Sequence, residues 1–348
     1  MARVLWVRLG GVALVWFLAA GGAGAERREA LQERARQIFG VVPAEAVNPA
    51  NPVTEAKVEL GRLLYFDPRL SKSQQISCNT CHKLDAFGVD NEATSAGHRG
   101  QRGARNSPSV YNAAFHIAQF WDGRAADVEE QAKRPGLNPV EMAMSDPDEV
   151  LTMLRSIPGY APLFVQAFPG ETDPITYDNF GRALGAFERR LATPSRFDAF
   201  LGGKLDALSD GEVAGLAKFL DMGCPACHAG PTVGGLMLQR LGLVNRYETR
   251  DLGRFEATRK ESDKHVFKVP SLRNSAKTGP WFHDGSIPSL DEAIRLMAWH
   301  QLGKKLKPAD IASIAAFLNA LTGEPDATYI AAPEPLPSGP KTPKPDPS

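Results

Sequence analysis

Apolar residues recur at helical spacing in five separate stretches of the chain. The first runs from about Thr54 to Phe66 with Val58, Leu60, Leu63 and Leu64 on one side. Tyr177–Ala192 repeats the pattern with Phe180, Leu184, Phe187 and Leu191, and Pro194 stops it. A third helix opens at the capping-box pair Ser209 and Glu212 and carries Val213, Leu216 and Leu220. Ser289–Leu302 opens with the same kind of pair, Ser289 and Glu292, and meets a Gly303 stop. Ala309–Thr322 follows Pro308, presents Ile311, Ile314, Leu318 and Leu321, and ends before Gly323. No period-two alternation of useful length appears, so the pattern predicts an all-α fold of two helical units joined by loops. Their boundary falls between Pro194 and Ser209, giving residues 26–198 and 199–331 as the two domains. Residues 332–348 are Pro-rich and polar and read as a disordered tail.

The N-terminus follows a different pattern. Arg3 and Arg8 precede an apolar run from Leu9 to Ala20, and Ala23-Gly24-Ala25 has the form of a cleavage site, with Glu26 opening the mature chain. Residues 1–25 therefore read as a cleaved secretory signal, with the periplasm as destination. An uncleaved anchor is the competing reading, and the uncharged run from Leu9 to Ala25 is at the short limit for one. Composition narrows the function classes. The 40 Lys and Arg balance 40 Asp and Glu, whereas a nucleic-acid binder needs excess positive charge to displace counterions. With 32 Gly and 27 Pro the chain must hold much loop.

The chemistry sits in four cysteines. They form Cys78-Asn79-Thr80-Cys81-His82 and Cys224-Pro225-Ala226-Cys227-His228, and no cysteine lies elsewhere. An exported chain with four cysteines ordinarily suggests two disulfides. A C-x-x-C-H match arises by chance on the order of 10⁻³ times in a chain of this composition, and here there are two. Thiols three residues apart can each form a thioether to a haem vinyl group, and the adjacent His then becomes the proximal iron ligand. A thioredoxin-like pair needs no following His, and a zinc site using both pairs would leave the repeated His unexplained. The motifs, 146 residues apart, thus predict two covalently bound haem c groups in a duplicated module, held by Cys78, Cys81, Cys224 and Cys227, with His82 and His228 below the irons. The haems themselves would supply apolar core, which suits modest helices in Gly/Pro-rich loops.

Second axial ligands decide whether such irons carry electrons or bind small molecules. His98 lies among Gly97, Gly100 and Gly103, a segment able to move; it is either a displaceable ligand or an exposed loop histidine. Met297 competes with Met237 for the second haem, Met142 and Met144 compete for either, and core packing is the ordinary role of each. Trp121 lies between the haem motifs in sequence. A carboxylate such as Glu141 near a haem could serve in acid–base catalysis, although a lone Glu is ordinarily a solvated charge. His116, His265 and His300 receive no role.

From Val53 to Thr322 the chain resembles the bacterial dihaem cytochrome c peroxidases. The carriers are both C-x-x-C-H motifs, the Gly97-His98-Arg99-Gly100 loop leading into Arg105-Asn106-Ser107-Pro108-Ser109, Phe120-Trp121-Asp122-Gly123-Arg124, Glu130-Gln131-Ala132, Asn138-Pro139-Val140-Glu141-Met142, Lys277 to Gly285, and Met297 before Gln301-Leu302-Gly303. The resemblance implies two cytochrome c-like haem domains: an N-terminal low-potential peroxide site and a C-terminal high-potential site ligated by His228 and Met297. It implies that His98 caps the first iron in the resting enzyme and leaves on activation. Gln131 and Glu141 would line the distal pocket, Glu141 as proton shuttle, and Trp121 would lie on the electron path. Calcium would be bound by Asn106 and by backbone oxygens of Thr278 and Pro280. The implied reaction reduces hydrogen peroxide to water with electrons from a small cytochrome c or a cupredoxin, and relatives suggest a homodimer. Two rivals stand beside it: a dihaem electron carrier without catalysis, and a methylamine-utilisation-type enzyme that oxidises a protein residue. The latter pattern has Tyr in place of the axial Met and lacks the distal His, whereas this chain has Met297 and His98.

Overall fold

The computed structural model describes the backbone of residues 13–348 and the side chains from Glu26 onward. The start of the expected signal sequence lies outside the described residues. From Ala13 the backbone is already in α1 (Ala13–Ile38), which runs through the expected cleavage site. Among the described residues, no helix is long and apolar enough to cross a membrane. The elements that follow are α2 (Glu55–Phe66), α3 (Cys78–Cys81), α4 (Val128–Ala132), α5 (Pro147–Ser156), α6 (Tyr160–Ala167), α7 (Tyr177–Glu188), α8 (Arg196–Leu201), α9 (Asp210–Met222), β1 (Leu238–Arg240), α10 (Phe255–Thr258), β2 (Val266–Lys268), α11 (Leu290–Leu302), α12 (Pro308–Ala320) and α13 (Ala327–Ile330). The all-α expectation holds, with one addition: β1 and β2 pair antiparallel over three residues each.

Each module is built on one crossed helix pair, α2 with α7 and α9 with α12. The crossings share one device. A Cβ on Gly61 would run into the Ala183 carbonyl oxygen, and a Cβ on Gly215 into that of Ser313. Glycine therefore lets the backbones meet, and Phe187 and Phe317, one turn further on, bury themselves completely beside the contact. The caps act as read. Thr54 accepts from Lys57 N, and Ser209 and Glu212 cap reciprocally. At α11 only half the box forms: Ser289 accepts from Glu292 N, but the Glu292 carboxylate pairs with Arg295. Helix α7 ends at Glu188, short of Ala192, and beyond its end the Leu191 carbonyl accepts from Asn112 N at 2.8 Å.

Residues 106–125 and 268–287 repeat at a constant offset of 162. Pro108 matches Pro270, Ser109 matches Ser271, and Asp122-Gly123 matches Asp284-Gly285. Asn112 and Asn274 share a left-handed backbone (φ 62° and 59°), as do Phe120 and Phe282 (66° and 71°). The two copies dock reciprocally, Asn106 N donating to His283 O at 2.8 Å and Lys268 N to Trp121 O at 2.7 Å. Both asparagine amides donate to Thr193 Oγ1, at 2.8 and 2.9 Å. The modules thus meet about an approximate two-fold.

Two readings of the chain's ends need correction. The first core gathers Leu60, Leu64, Phe164, Leu184 and Phe187, and the second gathers Phe197, Phe200, Leu216, Phe219 and Phe317. Ala35 and Phe39 pack in the second core, as does Phe197. The N-terminal segment and α8 therefore sit with the C-terminal module, across the boundary drawn at 198/199. Residues 332–348 are an ordered strap along the first module. Leu336 packs on its core, Arg69 donates to Leu336 O at 2.8 Å, Gln74 to Pro343 O at 2.8 Å, and Asp346 N to Lys72 O at 2.9 Å. Proline already restricts this segment when unfolded, so ordering it costs less entropy than its polarity suggested.

Candidate functional site

The two Cys-rich motifs open on one continuous cavity of about 450 Å³. Helix α3 presents Cys78 and Cys81, and a single 3₁₀ turn presents Cys224, with Cys227 following it. All four line the cavity, and no disulfide joins them. In each motif the histidine follows one turn later, His82 N donating to Cys78 O and His228 N to Cys224 O, both at 3.0 Å. Burial lowers the pKa of both imidazoles, that of His228 to about 4. His82 Nδ1 lies 3.4 Å from Gly88 O. The Val233 and Pro270 carbonyls oppose the shift at His228 without giving its buried Nδ1 a full hydrogen bond. A Cβ on Gly234 would strike the Pro270 carbonyl, so glycine is required for this approach. Two thiols and a neutral imidazole turned into each end of an apolar cavity fit covalent haem.

The two ends differ. Around the first motif, Gln131 of α4 and Glu141 line the cavity. Asn138 Nδ2 donates to Glu141 Oε1 at 2.8 Å, leaving Oε2 as the free end. Burial raises the Glu141 pKa, with Arg124 and Asn138 pulling the other way. Arg124 stacks on Phe120, 3.5 Å from the ring centre, and pairs with Asp122. At the second motif, Met297 of α11 lines the cavity and Met237 does not. Met142 lines the first pocket, while Met144 is buried in the first core.

His98 is not brought into the cavity. Its ring is buried elsewhere, with Nε2 3.0 Å from Ser348 O and Nδ1 without a partner. Its backbone N donates to Val140 O at 3.0 Å and Glu141 O at 2.7 Å. A Cβ on Gly97 would collide with the Val140 carbonyl. The His98 loop is therefore hooked to the same backbone that presents Glu141.

At the junction, Trp121 Nε1 donates to Asn106 O at 2.9 Å, and its ring meets His283 edge-on. Asn106, Thr278 and Pro280 line the cavity together. Asn106 Nδ2 is engaged by the Glu92 and Ala93 carbonyls, which leaves Oδ1 as its free atom. Among the described residues no cluster of three His, Cys, Asp or Glu gathers as a metal site. A cation here would be held by amide and backbone oxygens, a donor set suited to a hard ion such as calcium. Among the lining residues that sequence reasoning missed are Glu188, His116 and Lys268. Burial pushes the Glu188 carboxyl up to about 8. The 162-residue repeat was the signal that could have drawn attention to His116 and Lys268.

Fold and site together define a two-module c-type cytochrome whose haem pockets share one cavity, with acid–base side chains at one end and a thioether at the other. Residues 55–206 match the description of the di-haem cytochrome c peroxidases. The chain is 45% identical over 303 residues to the cytochrome c551 peroxidase of Pseudomonas aeruginosa, covering 85% of this chain and 87% of that protein. It is 37% identical over 297 residues to the methylamine utilization protein MauG of Methylorubrum extorquens, covering 81% and 82%. A solved structure of a MauG-like protein associated with microbial copper homeostasis aligns with a TM-score of 0.72 at 28% identity, over 87% of this chain and 97% of that one. The chain belongs to the di-haem cytochrome c peroxidase family, an enzyme carrying two haem c groups.

Proposed function

We propose that this enzyme reduces hydrogen peroxide in the periplasm, taking two electrons and two protons per peroxide to give two waters, with a small cytochrome c or cupredoxin as donor. The observation that carries this is the asymmetry of the shared cavity. Gln131 and the half-buried Glu141 face one pocket, and Met297 faces the other. When bound, the haems supply the electron transfer and the redox chemistry of O–O cleavage. His82 and His228 would each hold one haem iron, and Met297 would be a further ligand to the second. Burial keeps a proton on Glu141 at higher pH than an exposed carboxylate would, and Asn138 fixes Oε1, so Oε2 is the atom that gives and takes protons. Gln131 orients peroxide beside it. His98 lies outside the cavity on a loop hooked to the Glu141 backbone, and that loop would carry it to and from the first pocket. Asn106, Thr278 and Pro280 would hold calcium where the modules meet, and Trp121 would relay electrons across that junction.

The test uses purified protein carrying two haems, supplied with calcium and pre-reduced at its high-potential haem. Peroxide-dependent oxidation of a reduced cytochrome c is expected. Absence of turnover under these conditions, with both irons six-coordinate at every oxidation level, would overturn the reading in favour of a plain electron carrier.

A further inference from the structure

Lys268 ends β2 with its side chain turned inward. The residue is 6% exposed and lines the cavity where the two haem pockets meet. Among the described residues its ammonium has one polar partner, His116 Nδ1 at 3.1 Å, and no carboxylate pairs with it. Because His116 Nδ1 accepts from a lysine, its proton belongs on Nε2, and Nε2 is buried with no partner. The ring is closely packed on one side: a Cβ on Gly235, which is in the left-handed region, would overlap it. The lysine backbone is equally fixed, through Trp121 O and through pairing with Leu238. The N–H thus has no acceptor and the ammonium has only an imidazole nitrogen, with no anion beside either in the cavity. A buried ammonium is costly unless an anion accompanies it.

The approximate two-fold shows what kind of place this is. At the offset of 162, Lys268 stands where Asn106 stands in the other copy, and His116 stands where Thr278 does. One corner of the junction therefore presents oxygen atoms, and its mirror corner presents a cation of its own. We propose that Lys268 and His116 form a carboxylate-binding site that takes a propionate of one of the two haems at the module junction. Lysine supplies the charge there, and His116 Nε2–H the second hydrogen bond. Burial pushes the amine down to about 8, which the arrival of a carboxylate would reverse.

The experiment is a redox titration of both haems in the two-haem protein and its Lys268→Met and Lys268→Arg variants, followed by electron spin resonance. Resonance Raman spectra of the propionate bending bands accompany it. Removing the positive charge disfavours the reduced state, so Lys268→Met should lower one haem's midpoint by at least tenfold in its reduction equilibrium, 59 mV for one electron. Its propionate band should shift, and Lys268→Arg should restore most of the potential. The haem whose potential falls is the one that supplies the carboxylate. Unchanged potentials and bands in a Lys268→Met protein that still carries two haems would overturn the proposal. Should that variant fail to load haem, His116→Phe keeps the charge and removes the Nε2–H: a shifted propionate band supports the site, and an unchanged one overturns it. No readout here depends on peroxide turnover.

Discussion

Two carboxyl groups, Glu188 buried and Glu141 half-buried, face the first haem pocket, and their surroundings set them apart. Glu141 has Asn138 on one oxygen and Arg124 near it, so its pKa rises under burial but not without opposition. Replacing it by Gln should cut peroxide turnover about 10²–10⁴-fold while haem content stays at two, as steady-state kinetics beside a haem assay would show. Glu188 has neither hydrogen bond nor ion pair among the described residues, and burial together with the Glu129 charge lifts it to about 8. Its folded form therefore keeps a proton that the unfolded chain gives up near a pKa of about 4.3. Stability from this group is complete at low pH and is lost as pH climbs towards about 8, by at most about 1.4 kcal/mol per pH unit. Denaturant midpoints between about pH 5 and about pH 8 should fall for the native protein and flatten for Glu188→Gln. Nothing in the sequence around Glu188 distinguished it from the neighbouring Glu129, which buried Arg189 neutralises at 2.7 Å.

At the scale of elements, the helices were legible because their apolar spacing and caps are local properties. Thr54, Ser209 and Ser289 each cap the helix they were read to open. The close crossings were not legible, since Gly61 and Gly215 look like helix-weakening residues until the partner backbone is seen against them. Valine at either position would wedge its helix pair apart. Gly61→Val and Gly215→Val should each cost about 1–3 kcal/mol in thermal or denaturant unfolding followed by circular dichroism. The strap at 332–348 escaped for the opposite reason. Its composition describes a segment with no core of its own, yet Arg69, Gln74 and the first module's apolar surface supply its partners from far away in sequence.

Over the whole molecule, the junction is tied by charge as well as by the repeat. Arg105, just ahead of the first copy, donates to Asp122 at 2.6 Å and reaches Asp251 of the second module at 2.7 Å. Both carboxylates are largely shielded from water. Arg105→Ala strands them, and the expected loss is about 3–5 kcal/mol in equilibrium unfolding, with Arg124 still supporting Asp122.

What the sequence determined by itself was whatever chemistry needs only neighbours along the chain. Two Cys-x-x-Cys-His motifs place two thiols and an imidazole on one turn, so covalent haem attachment could be read from spacing, and the amphipathic helices from periodicity. Which methionine faces the second pocket, where His98 rests, and why Lys268 lies beside His116 were decided only in three dimensions. Those facts depend on which distant surfaces meet at the two-fold, and side chains with the same local pattern end in a core, in a cavity or against the strap according to that packing.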